Sequence, residues 1–240
     1  MSQELTPEKL EELKHSHIRS FSTRKGRISH AQERALSELF PKYELTYDKE
    51  NKVNAKEIFG NDNPVVLEIG CGMGETTAAI AEAHPEVNFI GCEIFPSGVG
   101  ALSLLLEEKQ LKNVRIFKHD AVEVVRDMVA DGSLDGVHIY FPDPWRKARH
   151  HKRRLISPFF VDLLSPKLKA GAYLHCATDW ENYAEQMMEV LSAAPLLKNK
   201  YEGFSLVAEN PITKRPVTKF NERGNRLGPV SYTHLTLPTN

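Results

Sequence analysis

The chain has 240 residues, of which 41% are hydrophobic and 26% charged, and its 31 basic and 32 acidic residues leave a formal net charge of −1. This length and composition predict one folded domain with a sizeable core, and they exclude a disordered or collagen-like chain. A nearly neutral chain does not bind nucleic acid through its overall charge, so any such binding must come from local clusters of basic residues.

Residues 1–43 form a polar, basic N-terminal segment with a short helical pattern over 31–40. From residue 64 onward, short apolar runs alternate with helical stretches five times. The predicted strands are 65–69, 88–93, 114–118, 136–141 and 172–178, followed by helices near 76–83, 102–106, 122–129, 158–164 and 181–191. Five strand–helix units in succession predict an α/β fold: a doubly wound, mostly parallel Rossmann-like sheet with helices on both faces.

We assign residues 44–228 to this domain. From Pro229 to Asn240 the chain contains no Asp, Glu, Lys or Arg, although the preceding stretch 214–226 is strongly charged. We interpret residues 229–240 as a non-native tail and base no functional argument on them.

Other features of the chain bear on its surroundings. No apolar run approaches the roughly 20 residues needed to span a bilayer, and the acidic N-terminus lacks the apolar core of a secretory signal. The three cysteines, Cys71, Cys92 and Cys176, show no metal-ligand spacing. We therefore expect a reduced, cytoplasmic protein with no metal and no membrane association. The sequence does not decide between a monomer and a homodimer.

The first predicted strand ends in a glycine-rich loop, Glu68-Ile69-Gly70-Cys71-Gly72-Met73-Gly74. Its glycines allow a tight turn and a close approach of the backbone to a ligand. A dinucleotide fingerprint would be G-x-G-x-x-G, but Glu75 occupies the place of the third glycine. E-x-G-x-G-x-G is instead typical of methyltransferases that use S-adenosylmethionine. A plain glycine turn and a site for NAD stay open as alternatives.

Acidic residues also end the next two predicted strands. Glu93 ends the second, 19 residues after Gly74, where a carboxylate can accept both hydroxyls of a ribose. Asp120 ends the third, where it could reach an adenine amino group or simply cap the following helix. Because ligands of such sheets bind at the carboxyl ends of the strands, acids at three successive ends favour a nucleoside cofactor site.

The fourth predicted strand is followed by Phe141-Pro142-Asp143-Pro144-Trp145, in which two prolines stiffen the backbone around Asp143. In the next nine residues, 146–154, six are Lys or Arg and two are His. Such a run is usually a solvated surface, but its position beside the predicted methyl donor favours a platform for phosphates. The basic stretches 19–27 and 214–226 could join it. Asp179 precedes a predicted helix and could be its N-cap.

Together these residues resemble the bacterial tRNA (guanine-N7-)-methyltransferase family. The motifs that carry the resemblance are VLEIGCGMGE, GCEI, HDA, FPDPWRKARHHKRR, ATDW and RPVTKFNERGNRLG, and the N-terminal IRSFSTRKGRIS is also similar. The resemblance covers roughly residues 15–228. It implies methyl transfer from S-adenosylmethionine to N7 of guanine 46 in the variable loop of tRNA.

The resemblance also implies roles for individual residues. The cofactor site would contain Glu68, Gly70, Gly72, Glu93, Asp120 and Asp143, with Asp143 also catalytic. The substrate would contact Lys147, Asp179, Thr218, Lys219, Phe220 and Asn221. The RNA would contact Arg149, His150, His151, Lys152, Arg153 and Arg154. The chain departs from the family pattern at Asn221, where the family usually has Glu, and after Gly228, where the family continues into a closing strand.

Three other functions are compatible with parts of this pattern. A nicotinamide-dependent oxidoreductase would bind NAD, and the missing third glycine counts against it. A non-catalytic RNA-binding protein would need no acidic residues at its strand ends, so the four in this chain, at 68, 93, 120 and 143, count against it. A methyltransferase acting on a different RNA would share the cofactor site, and only the family resemblance argues against it.

Overall fold

The computed structural model describes residues 18–22, 26–201, 203–204 and 231–236. Its centre is a sheet of five parallel strands: β1 (Val65–Ile69), β2 (Asn88–Cys92), β3 (Val114–Phe117), β4 (Leu134–Tyr140) and β5 (Leu168–Thr178). They lie in the order β3-β2-β1-β4-β5, so the chain reverses its direction of winding between β1 and β4. The predicted doubly wound, mostly parallel sheet is confirmed.

Two further strands extend the sheet beyond β5. These are β6 (Lys198–Asn199) and β7 (Ser231–Thr236), and β7 pairs antiparallel with both β5 and β6. The tail that we interpret as non-native thus supplies a strand. Strand pairing uses backbone groups that nearly every residue carries, so this position in the sheet does not depend on a native sequence.

Helices cover both faces of the sheet, as predicted. The α-helices are α1 (His30–Glu38), α2 (Ala55–Phe59), α3 (Glu75–Ala83), α4 (Pro96–Glu108), α5 (Ala121–Asp127), α6 (Pro158–Leu164) and α7 (Glu181–Ala193). Short 3-10 helices lie at Phe40–Lys42, Ala148–Arg153 and Ser165–Lys167. Within the described residues, no helix combines the length and apolar character that crossing a membrane requires.

Strand β1 shows why both faces are covered, because all five of its residues are buried. On one face, Leu67 belongs to a core cluster with Val124 of α5 and Phe160 of α6. On the other face, Val66 packs in a second cluster with Leu102 of α4. Successive side chains of a strand point to opposite faces, so a strand buried on both faces reads as one continuous apolar run.

The observed elements differ from the predicted ones mainly at their ends. Helix α4 begins at Pro96, six residues before the predicted start, because proline fits the first turn of a helix. Strand β5 begins at Leu168, but residues 169–171 are exposed and add nothing to the apolar run. Helix α2 was not predicted, since its five residues are too few to show a period.

Candidate active site

The carboxyl ends of β1 to β4 surround a cavity of about 410 Å³. A smaller space of about 170 Å³ adjoins it and shares Gly70, Gly72, Tyr140 and Phe141 with it. The predicted cofactor residues all lie on these walls: Glu68 lines the smaller space, Glu93, Asp120 and Asp143 the larger one, and Gly70 and Gly72 both. The site therefore occupies the switch point between β1 and β4, where such sheets bind ligands.

The glycine loop between β1 and α3 requires its glycines. Gly70, Gly72 and Gly74 have φ values of +79°, +56° and +81°, which side chains rarely tolerate. A Cβ at Gly74 would also lie 2.6 Å from the Cβ of Leu102. The loop can thus present backbone groups to the cavity while it packs tightly on α4.

Glu93 is a buried carboxylate that also supports the glycine loop. Its Oε2 accepts a hydrogen bond from the Gly72 N–H at 2.7 Å, and its Oε1 accepts from the N–H groups of Ile94 (2.7 Å) and Phe95 (2.8 Å). Burial raises the pKa of Glu93, and the nearby charge of Asp143 adds to the rise, although the three backbone donors oppose it. Three of roughly four lone-pair positions are taken, so there is room for one further donor on this carboxylate.

Asp120 caps a helix and also lines the larger cavity. Its Oδ1 accepts a hydrogen bond from the Val122 N–H at 2.9 Å and caps α5. Its side chain is also buried against the cavity. The N-cap bond fixes the carboxylate at the strand end, so structural and binding roles do not exclude each other here.

The loop that carries Asp143 has a strained backbone on both sides of this residue. Phe141 and Trp145 have φ values of +49° and +44°, in the left-handed region that bulky residues avoid. Two hydrogen bonds restrain the loop, from the Phe141 N–H to the Ala177 carbonyl (2.8 Å) and from Arg154 Nε to the Pro144 carbonyl (2.9 Å). Strain of this kind persists only where the surroundings enforce it, and such sites are often functional.

Asp143 lines the larger cavity and is an exposed residue. The protein atoms around it raise its pKa by desolvation, and the positive charge of Arg153 opposes this rise. A carboxylate that is less hydrated than usual interacts more strongly with hydrogen-bond donors and with developing positive charge.

The basic residues after this loop lie around the 3-10 helix Ala148–Arg153. Lys147, Arg149 and Lys152 are exposed. His150 packs edge-on against the ring of Trp145, with 5.8 Å between ring centroids. Burial lowers the pKa of His150, and the surrounding positive charges, that of Arg149 first, lower it further.

Arg154 differs from the other basic residues of this stretch, because its side chain is only 3% exposed. Its guanidinium donates to the Pro144 carbonyl, to Asn182 Oδ1 (2.9 Å) and to Gln186 Oε1 (2.6 Å). It also contacts His151 Nε2 at 3.1 Å. These contacts join α7 to the Asp143 loop. Arg154 therefore links elements of the fold, and its predicted contact with RNA stays a prediction that this buried position does not favour.

The residues predicted to contact the substrate are only partly described. Asp179 is exposed just after β5, and Trp180, not Asp179, occupies the N-cap position of α7, so the N-cap alternative is wrong. Arg146 lies over the Trp180 ring, 4.5 Å from its centroid. Thr218, Lys219, Phe220 and Asn221 lie outside the described residues.

Sequence reasoning missed several residues that line the larger cavity. Ser20 and Phe21 of the N-terminal segment, together with His119 and Tyr140, contribute to its walls. Gly98 of α4 was also missed: a Cβ there would collide with the Gly72 carbonyl oxygen and lie 2.9 Å from Glu93 Cγ. The basic character of residues 19–27 was noted, but no local pattern indicates where that segment folds.

Comparisons with known proteins agree with this geometry. Residues 62–234 match the family model described as "Putative methyltransferase". The chain is 56% identical over 218 residues to the "tRNA (guanine-N(7)-)-methyltransferase" of Paraburkholderia xenovorans, covering 91% of this chain and 82% of that protein. The enzyme of the same name from Dechloromonas aromatica is 55% identical over 214 residues, covering 89% of this chain and 85% of that protein.

Solved structures show a similar fold at low sequence identity. The 16S rRNA (adenine(1408)-N(1))-methyltransferase from Catenulisporales acidiphilia, solved with the cosubstrate SAM, gives a TM-score of 0.54 at 14% identity, covering 81% of this chain and 93% of that one. An "Antibiotic Related Methyltransferase" gives 0.53 at 15% identity, covering 84% and 99%. At such identities the likeness concerns the fold alone.

Proposed function

The chain belongs to the tRNA (guanine-N(7)-)-methyltransferase family, and from this premise we propose that it transfers a methyl group from S-adenosyl-L-methionine to N7 of guanine 46 in the variable loop of tRNA. The observation that carries this proposal is the convergence of the glycine loop and four carboxylates on one cavity system at the switch point of the sheet. The product is 7-methylguanosine, and we expect the reaction to take place in the cytoplasm.

The residues around the cavity fit this cosubstrate chemically. Carboxylates accept hydrogen bonds from ribose hydroxyls and amino groups, and anions attract the positive charges of the sulfonium and ammonium groups. Glu93 has room for one ribose hydroxyl beside its three backbone donors, a smaller role than the pair of hydroxyls that the sequence suggests. When bound, S-adenosylmethionine supplies an electrophilic methyl group on a positively charged sulfur.

Guanine N7 carries a lone pair and no proton, so this chain needs no general base for the transfer. Its contribution is alignment and electrostatics. We assign this role to Asp143, whose carboxylate would accept hydrogen bonds from N1–H and the amino group of guanine. Its negative charge would also stabilise the positive charge that the purine gains on methylation.

The basic surface beside the cavity would bind the RNA. Lys147, Arg149 and Lys152 are exposed near the Asp143 loop and are available to phosphates. His150 and His151 lie next to them, and in this proposal Asp179 and residues 218–221 contact the target nucleotide. Such contacts would orient the variable loop toward Asp143.

The test is methyl transfer from labelled S-adenosylmethionine to unmodified tRNA transcripts. The labelled nucleoside is identified by mass, and its position is mapped by chemical cleavage at 7-methylguanosine. A transcript with adenine at position 46 is the matched control. Label at guanine 46 that disappears in the control supports the proposal. Label on another position or another RNA would contradict the assignment to guanine 46.

A further inference from the structure

Residues 18–21 form a boundary between two cavities. Ser20 and Phe21 line the 410 Å³ cavity that also contains Glu93 and Asp143. Ile18 and Ser20 line a second cavity of about 360 Å³, and Leu155 also contributes to both. The N-terminal segment is thus part of the wall of the proposed active site, although over 100 residues separate it from the Asp143 loop.

Two side chains bind three successive carbonyl groups of this segment. Arg153 donates from Nε to the Arg19 carbonyl (3.2 Å) and from Nη2 to the Phe21 carbonyl (2.9 Å). Trp145 donates from Nε1 to the Ser20 carbonyl between them (2.9 Å). The guanidinium of Arg153 also lies over the Trp145 ring, 4.0 Å from its centroid.

These contacts matter because residues 18–22 have no regular secondary structure of their own. Backbone carbonyls in an irregular segment need partners from outside it. A guanidinium is a charged donor with a planar fork that can bind two acceptors at once, and an indole offers one N–H donor and an aromatic face. The cation–π contact joins the two donors, so Trp145 and Arg153 act on the segment as one unit.

We propose that Trp145 and Arg153 are positioning residues that hold residues 19–21 against the cofactor cavity. Arg153 would then affect methyl transfer through this segment and not as a contact to a tRNA phosphate, the role that its place in the basic run predicts. The proposal rests on the proposed function, since it takes the cavity to be the site of S-adenosylmethionine.

The test measures S-adenosylhomocysteine binding by calorimetry in the absence of tRNA. Arg153→Lys keeps the positive charge but loses the fork, and Trp145→Phe keeps an aromatic ring but loses the N–H. Each change removes one or two hydrogen bonds to the segment, so we expect affinity for S-adenosylhomocysteine to fall about tenfold. Arg149→Gln, in the same 3-10 helix but with no hydrogen bond to residues 18–22, should weaken tRNA binding and leave S-adenosylhomocysteine affinity unchanged.

Limited trypsin digestion gives a second and direct measurement of the segment. Cleavage after Arg19, followed by mass spectrometry, should be slow in the wild type with S-adenosylhomocysteine and at least several-fold faster in Arg153→Lys. A purely structural defect elsewhere would not change this one bond selectively. If Trp145→Phe does not fold, Arg153→Lys decides alone, because lysine keeps the charge and most of the volume.

The outcomes separate the two proposals. Wild type that does not bind S-adenosylhomocysteine would contradict the proposed function. Wild type that binds it while Arg153→Lys binds equally well, with unchanged cleavage after Arg19, would overturn the positioning role alone. A loss of tRNA affinity in Arg153→Gln that Arg153→Lys restores would identify Arg153 as a phosphate contact instead.

Discussion

Arg153 and Arg154 are neighbours in the chain, but their guanidinium groups bind different parts of the fold. Arg153 donates to the carbonyls of Arg19 and Phe21 in the N-terminal segment, whereas Arg154 donates to Asn182 and Gln186 of α7. A run of like charges in the sequence therefore contains residues that stabilise different parts of the fold. Single substitutions within the run should show which of them affects stability and which affects binding.

Arg154→Gln should lower the free energy of unfolding by about 2–3 kcal/mol, because it removes a buried charged donor and leaves polar partners on α7 and at Pro144 unsatisfied. Arg149→Gln, at an exposed position, should change stability by less than about 0.5 kcal/mol. Urea denaturation of both variants measures the difference. Equal stabilities would contradict the structural role of Arg154.

Neutralising exposed Lys147, Arg149 and Lys152 together by Gln should weaken tRNA binding and flatten its salt dependence. Each phosphate contact that is lost lowers the slope of log affinity against log salt by roughly 0.7–0.9. Filter binding across a range of KCl concentrations measures the slope. The triple substitution of Lys49, Lys56 and Lys112, which carry no role in the proposed site, controls for net charge. An unchanged slope in the first variant would exclude the phosphate platform.

Asp143→Asn should reduce single-turnover methyl transfer by about 10²–10³-fold, the effect typical of removing one well-placed electrostatic group. Affinity for tRNA should change only a few-fold, since the phosphate contacts remain. Asp131→Asn, which removes an exposed ion pair with Lys167, serves as the control. Turnover close to wild type in Asp143→Asn would remove this residue from the mechanism.

The raised pKa of Asp143 predicts an acid limb in the pH–rate profile. The carboxylate form is the active one, so activity should fall as pH decreases through a pKa that lies above the ordinary value of an aspartate. Asp143→Asn has no group to protonate, and its residual activity should lack this limb. Rates measured from pH 4.5 to 8 with a mixed buffer of constant ionic strength make the comparison.

The raised pKa of Asp143 also affects how the stability of the folded protein depends on pH. A carboxyl group whose pKa is raised on folding contributes stability below its unfolded pKa, and that contribution is lost as pH rises through its folded pKa. At neutral pH the ionised form of Asp143 therefore favours folding less than the protonated form would. The melting temperature of Asp143→Asn at pH 7.5 should equal or exceed that of the wild type, and a clear decrease would contradict this account.

Gly98→Ala should weaken S-adenosylhomocysteine binding about tenfold or more. Its Cβ would collide with the Gly72 carbonyl and press on Glu93 Cγ, so the glycine loop and the carboxylate must both shift. Gly26→Ala is a matched control, because no atom of the described residues lies within 4 Å of a Cβ at that position. Calorimetric affinities that match between the two variants would show that the packing of α4 on the loop is not required.

The sequence by itself determined the order of the strands and helices along the chain. It also determined that acidic residues lie at the ends of the strands. Apolar runs such as 65–69 mark strands that are buried on both faces, and Pro and Gly mark where they stop. The carboxyl ends of parallel strands meet at one edge, so Glu68, Glu93 and Asp120 could be placed together from their positions in the chain alone. The FPDPW motif could be located beside them for the same reason.

Only the tertiary structure decided which loops meet and which charges are buried. Periodicity reports whether a residue faces a core, but it carries no information about a partner 125 residues away, such as the Ser20 carbonyl that Trp145 binds. For the same reason the sequence could not distinguish Arg154, inside the fold, from exposed Arg149 in the same basic run. A charged side chain becomes buried where neighbouring elements supply enough hydrogen-bond acceptors, and those acceptors are brought together only by folding.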